Sequence, residues 1–229
     1  MGAKPDHRLR SKPIRRAKSL AALVAERLKR SIFTTEIRLG EVLSEEKIAA
    51  AMKVSRTPVR EALTLLQLQG LITIVPQRGS IVFKPDAEDI KALVEYRLML
   101  EMQAAPMAMK HAPLHATAQL EKAVAAMSVA RETEDALGYA DADGLFHNAF
   151  FEHCGNRYVS EGYEVCANRI SALRAHLSRP LEMFRSRTHT EHVDIAAAFA
   201  RSDIDAVLKI LRVHISDMEG NYIRALGDF

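Results

Sequence analysis

No stretch of this 229-residue chain approaches about 18 consecutive apolar residues, so a membrane-spanning helix is not expected. The basic N-terminus is followed by neither an apolar run nor a small-residue cleavage site, which argues against a secretory leader. Cysteine is scarce. Cys154 and Cys166 are too few for a disulfide scaffold and point to a reducing compartment, hence the cytoplasm. Glycine loops that cradle phosphate and the nucleophile motifs of hydrolases are missing, which disfavours an enzyme. Beyond about residue 85 there is no strand signal, and no repeat of fixed period occurs. What is present is globular: 48% hydrophobic and 27% charged, long enough for one large domain or two ordinary ones.

The net charge of +3 conceals an asymmetry. Residues 1–85 hold 17 Lys and Arg against 7 Asp and Glu, a balance of +10; the remainder holds 15 against 22, a balance of −7. One part suits a polyanion and the other does not. Residues 1–18 carry Lys4, Arg8, Arg10, Lys12, Arg15, Arg16 and Lys18 against Asp6 alone, and read as a basic, disordered arm. Contact with a DNA backbone and an unstructured leader both remain open for it.

The most informative segment is Ser55-Arg56-Thr57-Pro58-Val59-Arg60-Glu61-Ala62-Leu63. Ser55 suits an N-cap, its side-chain oxygen accepting from a free backbone N–H. Pro58 falls in the first turn, where its missing N–H costs nothing. Arg56, Thr57 and Arg60 then project from a helix end already disposed toward phosphate. Upstream, Leu20, Val24, Leu28 and Ile32 recur at helical spacing over residues 17–33. Ser44 caps a short helix through Met52 with Ile48 and Ala49 inward, and Lys53-Val54 turns the chain. The basic helix runs to Gly70, a C′ glycine, with Val59, Leu63 and Leu66 on its core face. This is helix-turn-helix spacing. Two β-rich runs, 71–75 and 80–83, flank Pro76-Gln77-Arg78-Gly79 and predict a hairpin whose tip forms a wing.

Pro85 ends the strand and Asp86 caps a new helix. Helices are predicted over roughly 86–110, 114–131, 133–154, 157–178, 188–201 and 203–226, with a kink at Pro106 and a break at Pro180. Within them a few polar residues interrupt apolar stripes. Asp143 and His147 share one face at i,i+4 on the stripe Ala136, Ala140, Phe150, Cys154. His192 lies near Ile195 and Phe199, and His214 lies among Val207, Leu211 and Ile215. Burying such groups unpaired is costly, and one Asp with three His can satisfy each other through a divalent metal. Hydrogen-bonded core histidines are the alternative. His111, His115, His153, His176 and His189 have no such placement. Arg97 also interrupts a stripe, and is read either as an ion pair with Glu101 or as a clamp for a ligand carboxylate.

These motifs resemble the GntR superfamily of bacterial transcription regulators. The C-terminal half is similar to the FadR subfamily and its FCD effector domain. Arg-Thr-Pro-Val-Arg-Glu-Ala-Leu carries the first likeness. Asp143-Gly-Leu-Phe-His147, Glu191-His192 with Ala196–Ala198 and Asp203, His214, Gly155-Asn156 and Arg97-x-x-x-Glu101 carry the second. The resemblance implies Asp143, His147, His192 and His214 as metal ligands, for zinc or a nickel-like ion, and Arg97 as a contact to the effector. It also implies a homodimer on double-stranded operator DNA, released or regripped when a small organic acid binds. Many relatives carry Arg where this chain has Glu46, so base reading here leans on Arg56, Arg60 and the wing.

The expected fold is mainly α: a winged helix-turn-helix over 19–84, after the arm of 1–18, and an all-helical, FCD-like effector and dimerisation domain over 85–229. The expected function is a ligand-responsive transcription regulator, in this family most often a repressor. Arg56 and Thr57 are assigned to base edges; Ser55, Arg60, Arg78 and the Gly79 backbone are assigned to phosphates. Two rivals are a metal-dependent enzyme and an architectural DNA-binding protein with a structural metal and no effector.

Overall fold

The computed structural model describes residues 18–177 and 182–227. Residues 1–17 of the basic arm and the expected break at Pro180 lie outside the described residues. Helix α1 (Leu20–Phe33) starts where the Ser19 side chain accepts from the Ala22 N–H at 3.1 Å, and it buries Val24, Leu28 and Ile32. Helix α2 (Glu45–Met52) is capped by Ser44, which accepts from Lys47 N–H at 3.3 Å, and has Glu45 and Glu46 in the first turn, where the helix dipole favours acids. Lys53 adopts a left-handed conformation at φ 54°, and the chain turns into α3 (Arg56–Leu68).

Ser55 occupies the N-cap of α3 with extended backbone, but its hydroxyl makes no capping hydrogen bond, contrary to the role read from sequence. At the other end Gly70 takes φ 74°, a conformation that side chains disfavour, and so stops the helix as expected. Val59, Leu63 and Leu66 are buried, while Arg56, Thr57 and Arg60 remain exposed on the outer flank. The hairpin is present as β2 (Ile72–Val75) and β3 (Gly79–Val82), and residues 76–78 form its tip. A strand the sequence pattern did not reveal, β1 (Val42–Leu43), completes an antiparallel sheet in the order β1-β3-β2, with Val42 opposite Ile81. Two residues are too short a run to display alternation.

Among the described residues six helices follow: α4 (Ala87–His111), α5 (Pro113–Glu132), α6 (Ala136–His153), α7 (Arg157–Leu177), α8 (Glu182–Ala200) and α9 (Ile204–Gly227). A reciprocal capping box between Asp86 and Asp89 starts α4, which continues through Pro106 as one helix. Helix α8 begins at 182, earlier than the expected 188. The hydrophobic residues form two clusters. One joins Val24, Leu28, Ile32, Val59, Leu63, Leu66, Leu71 and Val82, and is entered from the helical part by Ala172 of α7. The other is built around Phe146, Phe150, Phe151 and Phe199, with Leu120, Leu211 and Ile215. Helix α6 is central to it, touching α4, α5 and α7, while α9 rests on α4 and α8. Among the described residues no helix is long and apolar enough to cross a membrane.

Candidate functional site

The outer flank of α3 and the hairpin tip present Arg56, Thr57, Arg60, Arg78 and Gly79 to solvent, beside Ser55. The two α3 arginines are not free. Arg60 donates to Glu45 of α2 from Nε at 3.2 Å and from Nη2 at 2.9 Å, and Arg56 reaches the same carboxylate at 3.4 Å. This fork holds the Glu45 carboxyl below its usual value, through the Arg60 hydrogen bond above all. Both arginine side chains stay 64% exposed, so a stronger polyanion can take them from Glu45. Glu46, flagged for replacing an arginine, is exposed and takes no part in this pairing. Sequence reasoning passed over Glu45; its place in the α2 first turn was the available signal.

The second constellation lies inside the helical part. Helix α6 supplies Asp143 and His147, α8 supplies His192, and α9 supplies His214. All four are buried, and one ligand atom from each lies within 4.8 Å of the others. His147 Nε2 is 3.2 Å from His214 Nε2 and 3.3 Å from His192 Nε2, and His192 Nε2 is 3.0 Å from Asp143 Oδ1. The far side of two rings is fixed by carboxylates. His147 Nδ1 is 2.6 Å from Glu101 Oε2, and His214 Nδ1 is 2.8 Å from Glu191 Oε2. Arg97 opposes the effect of burial on Glu101 and, with His147, pulls its pKa down to about 2, so this carboxylate only accepts. Each ring therefore donates from Nδ1 and aims a bare Nε2 lone pair at the other. Two lone pairs 3.2 Å apart repel unless a cation lies between them. That donor set, neutral imidazoles oriented by carboxylates plus one carboxylate oxygen, suits a divalent metal.

Arg97, 1% exposed, donates from Nε to Glu101 at 2.5 Å and from Nη1 to Met218 Sδ at 2.8 Å, while its Nη2 has no hydrogen-bond partner among the described residues. The ion pair read from sequence is thus present, and one nitrogen remains for another acceptor. A second buried cation was missed. Arg174 of α7, 3% exposed, pairs closely with Asp143 Oδ2, leaving Oδ1 to the histidines. It lies four residues after buried Ile170, a basic residue on an apolar stripe, the criterion that singled out Arg97. His176 is buried as well, although its spacing marked it as unremarkable; its Nε2 is 2.8 Å from the Ile32 carbonyl.

Burial lowers the pKa of His147 and His214 below the ordinary imidazole value, with Arg97 adding to the first and His192 to the second. The folded chain keeps these rings neutral at pH values where the unfolded chain protonates them. Below about pH 6.5 the unfolded state then binds more protons, so stability declines as pH falls. The carboxylates add to this at still lower pH. Burial opposes ionisation of Asp143, but Arg174 and the histidines hold its carboxyl well below the usual range. Metal-stripped protein is expected to melt lower at about pH 5.5 than at about pH 7.5. One pKa unit on one ring corresponds to about 1.4 kcal/mol, or roughly 3–6 °C in a chain this long. Thermal unfolding of chelator-treated protein across that range checks it; a flat profile contradicts neutral burial of the rings.

Comparison with known proteins agrees with both halves. Residues 20–82 match the family described as bacterial regulatory proteins, gntR family, and residues 92–217 match the FCD domain. The chain is 38% identical over 123 residues to an HTH-type transcriptional regulator of Agrobacterium vitis from the TAR-I ttuE-ttuC' intergenic region, covering 52% of this chain and 72% of that protein. It is 28% identical over 195 residues to the HTH-type transcriptional repressor RspR of Escherichia coli K12, covering 83% of each. The solved structure of a GntR transcriptional regulator from Rhodococcus sp. RHA1 matches with a TM-score of 0.81 at 26% identity, covering 93% of this chain and 100% of that one.

Proposed function

The chain belongs to the gntR family of bacterial regulatory proteins, in the branch that carries an FCD domain, and on that premise we propose a repressor whose operator affinity is set by a small carboxylic acid bound beside a divalent metal. DNA-binding regulation of transcription, not catalysis, is the activity of its relatives. Residues 19–84 read the operator and residues 85–229 bind the effector and form a homodimer. Arg56 and Thr57 meet base edges, and Ser55, Arg60, Arg78 and the Gly79 backbone meet phosphates. The homodimer sets two recognition helices about one or two DNA turns apart, roughly 34 Å per turn.

The observation that supports the effector half is the convergence of three imidazole Nε2 atoms and Asp143 Oδ1 at distances that one divalent cation would bridge. Asp143, His147, His192 and His214 would hold the ion, zinc above other candidates because the set is nitrogen-rich and near-tetrahedral in number. When bound, the metal supplies Lewis-acid coordination positions for carboxylate oxygens. The surrounding charges favour an acid. Arg97 and Arg174 are offset by Glu101 and Asp143, so a divalent ion leaves the site positive, and Glu191 beside His214 offsets only part of that charge. Arg97 Nη2, without a hydrogen-bond partner among the described residues, is a buried donor that can offer an incoming carboxylate a hydrogen bond.

A thermal-shift panel of small hydroxy- and dicarboxylic acids, run on zinc-loaded and chelator-treated protein, tests this reading. At about 100 times Kd a ligand adds about 2.7 kcal/mol, a shift of several degrees. That shift is expected only with zinc present. A panel that leaves the melting temperature unmoved in both states favours an architectural DNA-binding protein with a structural metal.

A further inference from the structure

Helix α7 faces two ways. Toward the helical core it presents Arg174, whose guanidinium grips the outer oxygen of Asp143 while the inner oxygen faces His192 and His147. Toward the DNA-reading part it presents Asn168, Arg169, Ala172 and His176. Arg169 Nε donates to the Gly70 carbonyl at 3.0 Å, Asn168 Nδ2 reaches the Gln69 carbonyl at 3.5 Å, and the Arg169 guanidinium lies 5.5 Å from the centre of the Phe83 ring. His176 engages the Ile32 carbonyl, and Ala172 is buried in the same cluster as α1 and α3. These carbonyls stand at the C-terminal ends of α1 and α3, where helical carbonyls run out of intrahelical partners. One helix thus ties the C-terminal ends of α1 and α3 to the carboxylate of the proposed metal cluster.

Beside these contacts lies an open cleft of about 770 Å³, lined by Thr73 and Phe83, by Leu93 and Tyr96 of α4, and by Cys166 and Arg169 of α7. The C-terminal end of α3, by contrast, is hydrogen-bonded to α7 directly. A displacement of α7 is therefore delivered directly to the backbone of the recognition helix.

We infer that Arg174 is a positioning residue that passes the state of Asp143 through α7 to the recognition helix. The inference rests on the proposed metal site. Asp143 divides its charge between Arg174 and the histidine side, so a cation on the inner oxygen weakens the hold on Arg174, and α7 resettles against Gly70 and Ile32. Arg174 touches neither DNA nor the ion in this scheme; it acts through Asp143.

Hydrogen exchange on the full chain, chelator-stripped and then reloaded with zinc alone, is the test. In the wild type, zinc should change amide exchange several-fold around Ile32–Thr34 and Gln69–Leu71. Arg174→Gln should still take up zinc, measured by chelator competition, yet lose that change. Arg169→Ala, which leaves the cluster untouched, should bind zinc normally and lose the change at Gln69–Leu71 alone. It keeps the test intact if Arg174→Gln does not fold. A wild type that binds zinc without any change at these amides overturns the coupling, as does a change that survives at either segment in Arg174→Gln or at Gln69–Leu71 in Arg169→Ala. A wild type that takes up no zinc overturns the metal site itself, and the two failures are thereby told apart.

Discussion

Replacing His147 and His214 with alanine is expected to strip the protein of divalent metal. Wild-type protein purified without chelator should carry about one ion per chain by elemental analysis, as expected for a closed set of three imidazoles and one carboxylate. The double variant keeps only His192 and Asp143, which come from different helices and offer too few donors to retain an ion through purification. It also removes the imidazole partner of each of Glu101 and Glu191, which keep Arg97 and Arg187. Loss of a ligand's orienting partner alone typically costs about 10–100-fold in metal affinity, so loss of two ligands takes occupancy to background. Chelator should lower the melting temperature of the wild type and leave that of the variant unmoved, since an ion that binds only the folded state stabilises it by mass action. Metal-free wild-type protein, or a variant that keeps its ion, contradicts the assignment.

The second large effect belongs to Arg56→Ala. A gel shift on the region upstream of the gene should give a specific band with the wild type. The variant should lose about 1–3 kcal/mol, roughly 5–150-fold in affinity, concentrated in the specific complex. Arg56 stands in the first turn of α3, exposed and held only by the longest of the three contacts to Glu45. It is therefore the easier of the two arginines to transfer to a base edge. Arg60, doubly bound, fits a phosphate contact. Arg60→Ala should weaken specific and random DNA alike and lower the salt slope by about one. An Arg56→Ala protein with an unchanged ratio of specific to random binding removes Arg56 from base reading, and a wild type with no preference over random DNA removes the operator reading entirely.

Much of this molecule is written locally. The α2–turn–α3 unit follows from Ser44, the Lys53-Val54 turn, Pro58 and Gly70, each of which acts within a few residues through capping or φ preference. The buried stripes of α6 and α9 follow from helical periodicity, which is why Asp143, His147 and His214 stood out as intrusions. The Ser55 cap failed because propensity names a suitable residue for a position but does not rotate its hydroxyl onto a donor. Strand β1 escaped notice because its stability comes from pairing with β3, forty residues away in sequence, and from no pattern of its own.

The assembled site is of the second kind. Spacing put Asp143 and His147 on one face, but it carries no information on whether α8 and α9 bring His192 and His214 against that face. Family likeness supplied that expectation, and packing of α6 against its neighbours brings the four together. The orienting roles of Glu101 and Glu191, the grip of Arg174 on Asp143, and the hold of Glu45 on Arg56 and Arg60 all join different elements. Residue types, helix positions and the basic face of α3 were set along the chain, because backbone preferences and hydrophobic periodicity act over a few residues. Which charge meets which was set by long-range packing. A buried ion settles on whatever partner the fold brings within reach, and the chain's own order does not record that distance.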